Sequence, residues 1–121
     1  MKLRIKGNSV RLRLSQTEVR RLAEDRAIWE STDFGSARLH YGIEADPAAT
    51  APAAAMAEDR IRVTLPERMA QDWAVGDEVS LHGSIPLATG ELKILVEKDF
   101  QCLKPREDED EADLFPNPQA D

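Results

Sequence analysis

Two runs of the chain alternate apolar and polar side chains in the same phrase. Val10-Arg11-Leu12-Arg13-Leu14 and Ile61-Arg62-Val63-Thr64-Leu65 lie 51 residues apart, and each has the period of a strand buried on one face. A helix start follows each. Ser15-Gln16-Thr17-Glu18 fits a capping box, in which the serine hydroxyl takes one orphan amide and the glutamate returns to another. Val19, Leu22 and Ala23 then form one apolar face. In the second copy Pro66 suits a first helical position, Met69, Ala70 and Trp73 make the apolar face, and Gly76 is a stop. Two further strand-like runs follow each helix: 27–30 and 37–44 in the first half, 78–81 and 91–97 in the second. The connectors 31–36 and 83–90 carry turn residues. Each half therefore reads β-α-β-β, over pseudo-repeats of about 2–44 and 60–103. An N-terminal strand 2–6 makes a hairpin with 9–14 across Gly7-Asn8. The predicted fold class is α+β: a small, mostly antiparallel barrel or curled sheet with two short covering helices.

Two segments break this pattern. Residues 45–59 hold eight alanines with Pro47 and Pro52, and read as a surface loop or linker between the halves, with room for a short helix over 53–58. Residues 105–121 carry seven acids against Arg106 alone, and are expected to be a disordered or loosely docked acidic tail on a single domain spanning 1–104.

The tail changes how the net charge of -7 is understood. It contributes -6, so the rest of the chain is nearly neutral, while its first 15 residues contain five bases and no acid. With 121 residues, one domain is expected. The single cysteine, Cys102, forbids a disulfide framework and is expected to be inert. No apolar leader and no long apolar run is present, which points to a cytoplasmic protein with no membrane partner. Trp29, Tyr41, Trp73 and Phe100 are expected in the core or at its rim; with aromatics at 5%, packing is a better reading than base stacking.

Lys6-Gly7-Asn8-Ser9 followed by Val10-Arg11-Leu12 and a short helix resembles the start of a MazE-type antitoxin domain. Residues 61–81 resemble the AbrB/MazE pattern of strand, proline, helix, Gly-Asp and strand. That resemblance implies hairpins exchanged to close one small barrel, and nucleic-acid binding. From the MKLRIKGNSVRLRLS start to the Leu114-Phe115-Pro116 ending, the chain also resembles a small bacterial family of unknown function, which brings no activity with it.

The sharpest constellation is cationic. A two-residue turn at Gly7-Asn8 places Arg4 opposite Arg11, Lys2 opposite Arg13 and Lys6 opposite Ser9. Lys2, Arg4, Lys6, Arg11 and Arg13 are thus the anion-binding candidates, with Arg60 and Arg62 as an extension of the patch. Like charges facing each other are unfavourable, so an anion is expected beside them. Glu44, Glu97 and Asp99 are the internal choice, and nucleic acid, a phosphorylated ligand or an acidic partner the external ones. In the tail, Leu114 and Phe115 are partner-docking candidates, apolar among acids. No catalytic residues, cofactor or metal ligands are expected: His40, His82 and Cys102 are widely spaced, and no nucleophile elbow or phosphate loop occurs. The leading reading is a non-enzymatic binding or regulatory module with a protein partner, as a monomer or small homo-oligomer. The alternatives are an AbrB/MazE-like nucleic-acid binder using the basic hairpin, with the tail as modulator, and a small phosphate-handling enzyme.

Overall fold

The computed structural model describes residues 1–101 and 112–117. The elements run β1 (Lys2–Ile5), β2 (Ser9–Leu14), α1 (Gln16–Asp25), β3 (Ala27–Asp33), β4 (Arg38–Asp46), β5 (Ala53–Ala57), β6 (Arg60–Pro66), α2 (Glu67–Val75), β7 (Ser80–Leu87) and β8 (Gly90–Lys98). They form two four-stranded sheets, ordered β1-β2-β8-β7 and β3-β4-β6-β5. The class is α+β as expected, but the sheets do not close into one barrel.

Each half is hairpin, helix, hairpin, and each sheet takes one hairpin from each half. The joints are the parallel pairs β2 with β8 and β4 with β6; every other pair is antiparallel. Registers match across this pseudo-two-fold. Arg4 opposite Arg11 corresponds to Ala55 opposite Arg62, and Trp29 opposite Gly42 corresponds to His82 opposite Leu95. The inner faces carry Leu12, Leu14, Ile43, Val63, Leu65 and Val96, all without exposed surface, and Trp73 and Leu22 join them from the helices. The helices also touch each other, and both pack on β4.

Local chemistry explains most boundaries. The capping box forms: Ser15 Oγ accepts from the Glu18 amide, and Glu18 Oε1 accepts from the Ser15 amide at 2.9 Å. Arg26, at φ 64°, closes α1 in the left-handed conformation. Pro66 is the residue before α2 rather than its first helical position. The first hairpin has the register its turn dictates, with Gly7 at φ 54°.

Two expectations are corrected and a third is made more specific. Residues 53–57 are neither loop nor helix but the edge strand β5, paired with β6 through a turn in which Glu58 and Asp59 both take positive φ. The connector 83–90 is mostly strand, since β7 continues to Leu87 and holds Pro86 where an edge strand tolerates a missing donor. The tail is not wholly free of the fold, because Leu114 is 7% exposed among the core residues. Cys102 and Glu107–Glu111 lie outside the described residues. The two sheets meet where Pro52 lies against Gly83, at which a Cβ would come within 2.6 Å of the proline ring.

Candidate functional site

Strand alternation turns Lys2, Arg4, Arg11, Arg13, Lys93, Leu95, Glu97, His82 and Ser84 away from the core on the outer face of the first sheet. Register sets them in cross-strand rows: Lys2, Arg13, Glu97, Ser80; then Arg4, Arg11, Leu95, His82; and beside these Ser9, Lys93, Ser84, with Lys6 at the hairpin turn.

At one end this face is neutralised from within. Glu97 Oε1 lies 2.5 Å from Arg13 Nε and 3.8 Å from Arg11 Nε, and Asp99 lies 3.0 Å from Lys2 Nζ. Glu44 takes no part, because it sits in the other sheet and pairs with Arg62 at 2.8 Å. At the hairpin end the charge is uncompensated: neither Arg4 nor Lys6 has an acidic partner among the described residues. Arg4, Lys6, Ser9 and Arg11 line a cup of about 180 Å³ containing no carboxylate. Ser9 and Arg11 also line a neighbouring depression of about 590 Å³, which extends over Leu95 to His82, Ser84 and Lys93. Glu91 also lines it, accepting from Ser84 Oγ at 2.6 Å and lying 3.9 Å from Lys93 Nζ.

The outer face of the second sheet has the same layout and the opposite condition. Arg60 and Arg62 do not extend the basic patch; their guanidinium carbons lie 5.9 and 5.5 Å from the Trp29 ring centre. Trp29 lies over Gly42, where a Cβ would come within 2.3 Å of its ring, and its Nε1 donates to Glu44 at 3.4 Å. Trp29 and its two arginines thus cover the place where Leu95 and His82 leave a depression. The edge strands differ too: β1 presents Lys2 and Arg4 where β5 presents Ala53 and Ala55.

Leu114 and Phe115 are engaged by the chain itself. Phe115 bridges Phe100, donating its amide to the Asp99 carbonyl at 2.9 Å and accepting from the Gln101 amide at 2.8 Å. Asp113 caps α1 from outside, accepting from Thr17 Oγ1 at 2.9 Å, while the Asp113 carbonyl takes the Gln16 amide. Hydrogen bonds from Ser15 and Thr17 hold the Asp113 carboxyl below the usual carboxylate range. Beneath Phe115, the buried Lys98 ammonium donates to the Gly76 carbonyl at 2.8 Å and lies 5.8 Å from the Trp73 ring centre. Burial lowers its pKa, opposed by Asp77 and Glu78. Leu114 is therefore buried among the core residues.

Sequence reasoning found the five cations of the hairpin but missed His82, Ser84, Lys93 and Leu95. Their alternation was legible; their place beside β2 was not, because the parallel β2–β8 pairing joins residues 84 apart, Ser9 to Lys93. Among the described residues no group of three or more His, Cys, Asp or Glu side chains could hold a metal ion, and no helix is long and apolar enough to cross a membrane.

Comparison with known proteins supplies no match to AbrB or MazE: no curated protein and no solved structure matches the chain. A family model does match, over residues 1–119, and the chain belongs to that family, described as a family of unknown function, DUF7009.

Proposed function

We propose that this protein is a non-enzymatic binding module that holds an acidic segment of a protein partner on the outer face of its first sheet. One observation carries the reading. The fold contains its own control, since β1 and β5 occupy equivalent places and β5 does so with alanines at 53, 55 and 57. The edge-strand position therefore does not require Arg4 and Lys6, and facing Arg4 with Arg11 works against stability. Cations that the fold neither needs nor fully neutralises are explained by an external anion.

The shape of the face favours a protein over a nucleic acid. Its centre is the half-buried Leu95 between Arg11 and His82, and among the described residues no indole, phenol or phenyl ring stands in these cross-strand rows for bases to stack on. Glu97 and Asp99 at one end would repel a long phosphate backbone, whereas a short acidic segment with an apolar residue fits the hairpin end and the depression. Trp29, the ring suited to stacking, stands on the other sheet with Arg62 and Glu44 around it.

The test compares two labelled probes by fluorescence anisotropy, a short peptide of glutamate and leucine and a thymidine oligonucleotide of equal charge. The peptide is expected to bind the wild type, to lose about tenfold in affinity in the double variant Arg4→Thr, Lys6→Thr, and to be unaffected by Arg60→Ala on the second sheet. Tighter oligonucleotide binding with a steep salt dependence would overturn this reading in favour of the nucleic-acid one. Equal peptide affinity in all three proteins would remove the first sheet from the account.

A further inference from the structure

The cup at the hairpin end has a more specific chemistry than a general attraction for acids. Arg4 and Arg11 are directly opposite on adjacent strands, and Lys6 and Ser9 face each other at the turn. Neighbouring side chains on one face of such a pair stand about 5 Å apart across the strands and about 7 Å apart along them. The side chains of Arg4, Lys6 and Arg11 therefore line one half-open depression of about 180 Å³. Ser9 is a wall rather than a donor, because its hydroxyl already donates to the Lys6 carbonyl at 2.6 Å and stiffens the turn. Arg11 reaches toward Glu97 at 3.8 Å, beyond hydrogen-bond length, so its charge is only partly answered.

Three cations around one small space are poorly satisfied by one carboxylate. A group with two negative charges and three acceptor oxygens suits them better, and paired guanidinium forks are the side chains that grip such a group bidentately. The cup shares Ser9 and Arg11 with the larger depression over Leu95. A phosphate held in the cup would thus stand at one end of a site whose remainder has an apolar floor and a polar rim, the profile of a peptide segment. We infer that the Arg4–Lys6–Arg11 cup seats the phosphomonoester of a phosphorylated side chain, and that the neighbouring depression takes the residues beside it. This inference rests on the proposed protein-binding role of the same face and names the modification that the partner would carry.

The experiment titrates the full chain with three peptides identical except at one central position, which is serine, phosphoserine or glutamate, and with inorganic phosphate alone. Calorimetry is expected to show the phosphoserine peptide binding at least about tenfold tighter than either of the others. That preference should shrink to about twofold in Arg4→Gln and survive in Arg60→Gln, which lies on the second sheet. Phosphoserine and glutamate peptides of equal affinity on the wild type would overturn the phosphate inference while leaving the acidic-segment reading intact. Failure of every peptide to bind would overturn both. Inorganic phosphate binding as tightly as the phosphopeptide would show that the cup takes the free anion, and would refute a peptide ligand.

Discussion

If the cations of β1 serve binding rather than folding, removing one should make the protein more stable. Arg4→Thr is the cleanest perturbation. Arg4 is exposed, has no acidic partner among the described residues, and stands directly across from Arg11. Threonine keeps a β-branched residue in the strand, so the change is mainly one of charge. A like-charged pair directly opposite costs on the order of 0.2–1 kcal/mol, and relieving it should raise the melting temperature by about 1–5 °C for a domain of this size. Scanning calorimetry at low salt would measure the gain, and the same scan near 1 M salt should show most of it gone, because screening there acts over about 3 Å. Lys2 is left in place so that its ion pair with the nearly buried Asp99 is undisturbed. A fall in melting temperature at both salt concentrations would show that Arg4 supports the fold, and the inference from β5 would fail with it.

Other parts of the account can be broken separately. Gly42→Ala places a Cβ 2.6 Å from the Ile28 carbonyl as well as against Trp29. It should destabilise by about 1–3 kcal/mol and alter tryptophan emission; a neutral substitution with unchanged emission would refute the described closure over Gly42. Leu114→Ala should cost about 2 kcal/mol in urea denaturation, whereas a free tail residue would cost nothing measurable. Stability should also fall on the acid side. Burial alone would raise the Glu18 carboxyl, but hydrogen bonds from the Met1 amino group and the Ser15 amide outweigh it and hold the pKa below 4.5, and Asp113 is held below 3.8. Both groups bind protons more weakly folded than unfolded, so their stabilisation is present above the unfolded values and is lost as pH falls through the folded ones. Asp113→Asn should flatten that acid limb, and an unchanged pH profile would rule out the Asp113 cap as a contributor.

What could be read from the chain depended on how local the cause was. The first hairpin's register follows from Gly7-Asn8 and the alternation on either side, and the capping box at Ser15 and Glu18 is written in four consecutive residues. β5 was concealed because alanine has weak strand preference and Pro47 and Pro52 suggest a break. The strand forms because β6 offers a ladder and Ala54 reaches the core. The same distance problem hid half of the site, since Leu95 and His82 reach Arg11 only through pairing between the two ends of the chain. Leu114 and Phe115 stood out correctly as apolar residues among acids, but the surface that receives them is their own α1 and the segment Asp99–Gln101.

The central claim is that the outer face of the first sheet is the recognition surface and that its pseudo-symmetric counterpart is not. Two-dimensional amide NMR during titration with the acidic peptide tests this most directly, because it reports both faces in one spectrum. The account predicts shifts concentrated at Arg4, Lys6, Ser9, Arg11, His82, Lys93 and Leu95, with Trp29, Gly42 and Arg62 unmoved. Shifts centred on Trp29 and Arg62, or a spectrum unchanged at saturating peptide, would contradict it.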